Sequence, residues 1–86
     1  MKPAASHDAI AGILHEVDDK LKSATGPQIR GKHLRSDLGL DSLDVIKFIL
    51  LLEERYELKI PDADIDGRDL LQVDHLVRYL AERAPG

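Results

Sequence analysis

Apolar residues near the start of the chain fall on one side of a helix, and this spacing restricts the possible folds more than any other feature. Five positions at i, i+3, i+4, i+7 and i+11 form the stripe: Ile10, Ile13, Leu14, Val17 and Leu21. Ser6 or Asp8 can cap the start of such a helix by accepting backbone N–H bonds. The pattern predicts a first helix from about His7 to Lys22.

The composition favours helices for the rest of the chain as well. Aromatic residues make up only 3% of the 86 residues, so the core must consist of Leu, Ile and Val, which suits packed helices. Without cysteine the chain has neither a disulfide framework nor a thiolate metal site, and any thiol chemistry must arrive on another group. The length predicts a single domain over residues 1–86, with frayed tails at 1–5 and 84–86.

Charge is distributed unevenly along the chain. Residues 37–69 hold ten Asp/Glu against four Lys/Arg, whereas residues 1–36 hold four against six. An acidic surface disfavours nucleic acid and anionic lipid and favours a basic protein partner, although scattered charge can also serve solubility alone. No apolar signal core opens the sequence, and the longest apolar run, FILLL, is too short to span a bilayer. We expect a cytoplasmic monomer without membrane insertion.

The stretch LGLDSLD, residues 38–44, predicts the start of a second helix. Gly39 permits a backbone with positive φ, and Asp41 can accept backbone N–H bonds as the N-cap. Asp44, three residues later, completes a variant of the capping box. Ser42 therefore lies in the first turn of a helix that continues to Tyr56.

This second helix is apolar on two nearly opposite sides. The first side carries Val45, Phe48, Ile49, Leu52 and Tyr56. The second side carries Leu43, Ile46 and Leu50, beside Lys47 and Glu54. A helix in so small a domain cannot bury both stripes, so we expect one of them to face solvent or a partner. The alternative is a central helix that buries most of its circumference.

The segments around this helix complete an all-α prediction. Gly26, Pro27 and Gly31 interrupt the region between the first two helices, which predicts a long loop anchored in the core by Ile29 and Leu34.

Beyond the second helix, Pro61 and Gly67 bracket a single short helical turn over about Asp62 to Asp66. Its alternating Asp residues suggest a calcium loop, but the twelfth position counted from Asp62 is Val73 rather than Glu, so no metal site is predicted. A last helix follows from Val73, Leu76, Val77 and Leu80. The predicted fold is a four-helix bundle with a short third helix.

Ser42 lacks the surroundings of a catalytic nucleophile. A serine nucleophile needs a base at hydrogen-bond distance, and none of the candidates, His7, His15, His33 and His75, stands in a recognisable motif. The glycine-flanked elbow of α/β hydrolases is also absent. Ser42 is therefore either a capping residue or a site that another enzyme modifies, while a small hydrolase with a histidine brought near by folding stays open.

Three segments of the chain resemble the acyl carrier proteins. DLGLDSLD resembles their phosphopantetheine attachment motif, FILLLEERYELKIPD their second helix and the loop after it, and VDHLVRYL their last helix. The resemblance extends from about Leu34 to Leu80, and the family fold is a four-helix bundle with a short third helix.

The resemblance implies a role for Ser42 and its neighbours Asp41 and Leu43. Ser42 Oγ would carry a 4′-phosphopantetheine arm, transferred from CoA by a separate phosphopantetheinyl transferase. Acyl groups would be attached to the thiol of this arm as thioesters. The chain itself would then have no catalytic residue. An acyl-loading ligase or synthase and acyltransferases with basic docking patches would be its partners, in fatty-acid, lipid or polyketide-type biosynthesis.

The resemblance also assigns the two sides of the second helix. The implied docking face comprises Asp41, Leu43, Asp44, Ile46, Lys47, Leu50 and Glu54. The implied interior, which shelters the acyl chain, comprises Val45, Phe48, Ile49, Leu52, Val77 and Leu80.

Departures from the family pattern favour a specialised carrier. Lys47 stands where fatty-acid carriers usually have an acidic residue, Arg55 interrupts an acidic run, and Gly67 and Arg68 alter the third-helix region. The length favours a discrete protein, although an excised synthase domain of this size would have the same features. An aminoacyl or peptidyl carrier of a nonribosomal-type pathway is an alternative, although Asp41 before the serine resembles acyl carriers more. An unmodified four-helix interaction module is the other alternative.

Overall fold

A computed structural model describes residues 4–83, and these contain five α-helices and no strand. The helices are α1 (His7–Val17), α2 (Gly26–Ile29), α3 (Ser42–Tyr56), α4 (Asp62–Gly67) and α5 (Val73–Arg83), with a 3-10 turn at Asp19–Leu21. The predicted all-α fold with a short third helix is confirmed, and α2 is one extra turn within the predicted loop. Of the frayed ends predicted at 1–5 and 84–86, residues 1–3 and 84–86 lie outside the described residues. Within residues 4–83 no helix is both long and apolar enough to cross a membrane.

The first helix ends five residues earlier than its apolar stripe predicts. α1 stops at Val17 because Asp18 adopts an extended backbone, with φ −145° and ψ 123°. The Asp18 carboxylate accepts the backbone N–H of Lys20 at 2.9 Å and so begins the 3-10 turn. A hydrogen bond from the nearby backbone to an Asp side chain competes with the backbone hydrogen bonds of a helix. At Asp18 the side-chain bond forms and the helix does not continue. Leu21 consequently reaches the core only partly buried.

The predicted long loop contains the short helix α2, which docks onto α1. Thr25 caps α2 and forms a complete capping box with Gln28. The Gly26 N–H donates to the Asp8 carboxylate at 3.2 Å, and a Cβ at Gly26 would collide with that carboxylate. Only glycine therefore fits at this contact. Ile29 is buried, which confirms its predicted role as an anchor of the loop.

The core is formed by α1, α3 and α5 together with apolar residues from the connections. The buried apolar side chains outside the three long helices are those of Ile29, Leu34, Leu40, Ile60 and Leu70. Both tyrosines are buried as well, and burial raises the pKa of each phenol. The Tyr56 hydroxyl donates to the carbonyl of Ala4 at 3.3 Å, and Ala5 packs against the core. The described chain therefore contacts the bundle from its first residues.

A carboxylate at the start of α5 joins three distant parts of the chain. Asp74 accepts the backbone N–H of Gly31 at 3.0 Å and a hydrogen bond from His7 Nε2 at 2.7 Å. Beside it, the N–H of Leu34 donates to the carbonyl of Leu71 at 2.8 Å. The loop before α3 is thus fixed to the start of α5 and to the segment before it.

We expect the Asp74 contacts to make stability depend on pH in the acid range. The hydrogen bond from the Gly31 backbone, and then that from His7, lowers the pKa of Asp74 below its ordinary value of 3.8. A carboxyl with a lower pKa in the folded state stabilises the fold above its unfolded pKa, and this contribution disappears as the pH falls through the folded pKa. Asp74→Asn should therefore melt below the parent chain at pH 6, and the gap should narrow towards pH 3. Melting curves across this range, with Asp19→Asn as an exposed control, test this; a gap independent of pH would contradict it.

Candidate functional site

Ser42 is the first residue of α3 and is exposed. Asp41 precedes it as the N-cap, and its Oδ1 accepts the backbone N–H of Asp44 at 2.8 Å. The predicted capping box is only half formed, because among residues 4–83 no bond returns from the Asp44 side chain to the Asp41 N–H. One capping bond nevertheless fixes the helix start, and Ser42 is presented on it in a defined position.

The turn before Ser42 is anchored by buried leucines. Leu34 and Leu40 both lie in the core, and the N–H of Leu40 donates to the carbonyl of Leu34 at 3.0 Å. Gly39 has φ +74°, and its N–H donates to the carbonyl of Arg35 at 3.1 Å. The positive φ predicted for Gly39 is therefore present, and it turns the chain from this anchored loop into α3.

Gly39→Ala should destabilise the fold, whereas Gly12→Ala should stabilise it. A Cβ at either position meets no atom within 4 Å, so the difference comes from the backbone alone. An L side chain in the left-handed conformation of Gly39 costs roughly 1–2 kcal/mol. At Gly12, inside α1, alanine gains roughly 0.5–1 kcal/mol. Urea unfolding of the two variants measures both changes, and a shift of the same sign in both would contradict this account.

The start of α3 offers a moderately favourable environment for an anion. The first amides of a helix have no partner within the helix, and its positive end stabilises an exposed negative charge by roughly 0.3–1 kcal/mol. The carboxylates of Asp41 and Asp44 flank the same position and oppose an anion there. The site therefore suits a phosphodiester that extends from Ser42 into solvent, rather than one enclosed by the protein.

The histidines are engaged elsewhere in the structure. Among residues 4–83 no hydrogen bond joins a histidine to Ser42, so the arrangement expected of a small hydrolase is not formed. Their partners are Asp74 for His7, the carbonyl of Ala24 for His15, the N–H groups of Arg35 and Ser36 for His33, and the carbonyl of Arg68 for His75.

The described residues contain no group of three or more histidine or acidic side chains placed to hold a metal ion. Asp62, Asp64 and Asp66 lie on the short helix α4 instead of a calcium loop.

One of the two apolar stripes of α3 faces solvent. Leu43, Ile46 and Leu50 are 71%, 54% and 59% exposed. Phe48 and Leu52, on the other side, are completely buried. The prediction that one stripe would lie outside the core is confirmed, and the alternative of a central helix buried around its circumference is wrong.

Charged groups border this stripe with mixed signs. Asp41, Lys47 and Glu54 are exposed, and Asp44 is half-buried. Arg55, which interrupts the acidic run of the sequence, is bonded to both carboxylate oxygens of Glu16 on α1 at 2.6 Å. This ion pair raises the pKa of Arg55. Lys47 is exposed beside the stripe and has the opposite charge to Asp41 and Glu54.

A groove of about 320 Å³ separates α3 from α4. Val45, Ile46, Ile49 and Leu50 form its α3 side, and Ile60 and Ile65 the other, and Glu53 and Asp62 also line it. Of the six residues expected in an acyl-binding interior, only Val45 and Ile49 line this groove.

The other four expected interior residues lie elsewhere. Phe48, Leu52 and Leu80 are sealed in the core, and Val77 packs half-buried against it. The expected interior is thus divided between a closed core and an open groove. Sequence reasoning missed Ile60 and Ile65. Ile60 directly precedes Pro61 and Ile65 lies four residues after it, and these two isoleucines in the otherwise largely polar segment KIPDADI were the available signal.

The fold and the site define a small helical protein that presents one serine at a capped helix start beside an exposed apolar stripe. Residues 8–80 match the family model described as phosphopantetheine attachment site. This match covers most of the chain, so the chain belongs to that family, the family of the acyl carrier proteins.

Curated relatives agree with the family match. An acyl carrier protein of Campylobacter jejuni is 46% identical over 44 residues, covering 51% of this chain and 54% of the relative. One from Clostridium perfringens is 46% identical over 46 residues, covering 54% and 58%. A mitochondrial acyl carrier protein of Neurospora crassa is 42% identical over 48 residues, covering 56% and 34%. The chain spans about half the length of the bacterial relatives it matches.

Proposed function

We propose that this chain carries acyl groups as thioesters on a 4′-phosphopantetheine arm attached to Ser42. The observation that supports this most is the exposed Ser42 at the capped start of α3, within the segment that matches the attachment-site family. The arm supplies the thiol that a chain without cysteine lacks.

The residues around Ser42 present the hydroxyl and do not activate it. Asp41 holds the helix start, the buried Leu40 anchors the preceding turn, and no histidine is bonded to the serine among residues 4–83. The base and the metal ion for attachment therefore belong to the phosphopantetheinyl transferase, which draws the group from CoA. The chain itself acts as a carrier without a catalytic residue.

The exposed stripe of α3 is the proposed docking face for the transferase and for acyl-loading and acyl-transferring enzymes. Leu43, Ile46 and Leu50 supply apolar contacts, while Asp41, Asp44 and Glu54 attract basic patches. Such docking is weak and sensitive to salt, as a carrier that serves several enzymes requires.

The cargo we propose is an acyl group of a specialised fatty-acid, lipid or polyketide-type pathway in the cytoplasm. Lys47 supports this, because it adds an exposed cation to a face that is otherwise acidic and so alters which partners fit. Loading by an aminoacyl-activating enzyme instead would favour the peptidyl-carrier alternative.

Asp44→Lys should weaken modification by the transferase. Reversing this charge removes an attraction for a basic patch next to Ser42, and we expect an increase of about tenfold in KM at low salt, equivalent to about 1.4 kcal/mol. Kinetics of arm attachment at low and high salt measure it. Asp19→Lys, the same charge change on the exposed 3-10 turn, is the control and should behave as the parent chain. Equal kinetics for both variants at low salt would count against the docking face.

The proposed function is tested by intact mass before and after incubation with CoA, Mg²⁺ and a broad-specificity phosphopantetheinyl transferase. The expected result is a gain of one phosphopantetheinyl group. No gain, with a known carrier modified in the same mixture, would favour an unmodified interaction module that uses the same stripe.

A further inference from the structure

Within the described residues, the α4 wall of the groove is held to the rest of the protein by few contacts. This helix has six residues, none of them buried, and no side chain among residues 4–83 caps its start. Neighbouring anchors lie outside the helix: the N–H of Ile60 donates to Glu53 Oε2 at 2.7 Å before it, and Leu70 is buried after it. Both ends of the segment from Ile60 to Leu70 are therefore fixed. The position of α4 between them depends on the contacts that α4 itself makes.

One strong contact ties α4 itself to α5. The Tyr79 hydroxyl donates to Asp64 Oδ2 at 2.7 Å, and Tyr79 is only 2% exposed. The Arg83 guanidinium lies 3.8 Å from the centroid of the Tyr79 ring and 3.9 Å from the same carboxylate oxygen. A buried phenol packed in this way has little freedom to follow a moving partner. Asp64 is thus held at a fixed distance from α5.

Asp64 directly precedes Ile65, which lines the groove facing α3. A contact that holds Asp64 therefore also sets how far Ile65 stands from Val45 and Ile49. The present volume of about 320 Å³ is near the lower end of small-ligand sites, which span roughly 300–1,000 Å³.

We propose that the hydrogen bond from Tyr79 to Asp64 limits the groove between α3 and α4 to short acyl groups. This inference rests on the proposed carrier function. It makes Tyr79 and Asp64 positioning residues that act on the cargo through Ile65, and it predicts that loss of the bond lets longer chains enter.

The test attaches acyl arms of increasing length and measures the stability of each form. A broad-specificity transferase, supplied with straight-chain acyl-CoA thioesters from butyryl to dodecanoyl, acylates the parent chain, Tyr79→Phe and Asp64→Ala. Tyr79→Phe removes only the hydroxyl, and Asp64→Ala removes the acceptor from the other side. Asp66→Ala, an exposed carboxylate on the same short helix, is the matched control. The melting temperature of each acyl form is compared with that of the same variant bearing the free thiol.

In the parent chain and in Asp66→Ala, the gain in melting temperature should grow with chain length and stop at a short acyl group. In Tyr79→Phe and Asp64→Ala it should continue to chains at least two carbons longer. A merely structural role would lower all melting temperatures without changing the length at which the gain stops. The same stopping length in all four proteins would overturn the proposal.

The unmodified chain provides a readout that does not depend on the arm. Straight-chain alcohols from butanol to decanol are titrated while the NMR methyl signals of Ile49 and Ile65 are followed. In Tyr79→Phe and Asp64→Ala, alcohols with longer chains than in the parent protein should shift both signals. The same maximum chain length in all proteins would overturn the proposal that the bond limits the groove. If intact mass shows no arm on any protein, the carrier function fails, and this titration still decides whether the bond sets the width of the groove.

Discussion

Ser42→Ala should accept no phosphopantetheinyl group and carry no acyl cargo, while it folds as the parent chain does. Alanine lacks the Oγ that forms the ester, so the loss should be complete rather than partial. Ser42 is exposed, and the capping bond that the Asp44 N–H donates to the Asp41 carboxylate does not involve it. The change in stability should therefore stay within about 0.5 kcal/mol. Intact mass after incubation with CoA and transferase, together with a thermal melt, measures both parts.

Ser23→Ala serves as the control, because Ser23 is also exposed but lies outside any helix. It should gain the arm as the parent chain does. A Ser42→Ala protein that still gained the mass of the arm would place the attachment on another residue and would remove the basis of the proposed function.

Phe48→Ala should lower the free energy of unfolding by about 3–5 kcal/mol. Phe48 is the only phenylalanine in the chain and is completely buried on the inner side of α3. Its removal takes away apolar burial and leaves a cavity that neighbouring side chains cannot fill. A domain of this size has a total stability of roughly 4–13 kcal/mol, so the loss is a large part of it. Urea unfolding followed by circular dichroism measures the change.

Leu43→Ala, on the opposite side of the same helix, is the matched control. Leu43 is 71% exposed, so its loss should change stability by no more than about 0.5 kcal/mol. It should instead slow arm attachment, because it removes an apolar contact of the proposed docking face. Equal destabilisation by Phe48→Ala and Leu43→Ala would contradict the assignment of inner and outer sides.

The sequence predicts α3 well because the relevant information is local. A rotation of 100° per residue separates Phe48 and Leu52 from Leu43 and Leu50 without knowledge of any other helix. The start of the helix is equally readable, since the cap of α3 involves residues only three positions apart.

The features that sequence reasoning missed depend on distant partners or on competition between local bonds. Tyr79 is fixed by Asp64, 15 residues away, and Asp74 by groups 43 and 67 residues away. No periodicity reports such contacts, so both residues are indistinguishable from ordinary positions of an amphipathic helix. The apolar stripe is compatible both with a helix that continues through Asp18 and with an extended backbone at Asp18 that ends the helix. The structure has the extended backbone.

The charges around the exposed stripe of α3 also affect how copies of this protein meet one another. A surface with Leu43, Ile46 and Leu50 in the open favours self-association through apolar contact. This face carries three carboxylates, Asp41, Asp44 and Glu54, against the cation Lys47. Two copies that approach through these faces therefore repel each other within a Debye length of about 8 Å at physiological salt. In the proposed function the same groups also attract a basic enzyme, so one set of carboxylates would both recruit partners and keep copies of the carrier apart. Raising the salt concentration weakens both effects together, and homodimers should form most readily under the conditions in which docking is poorest.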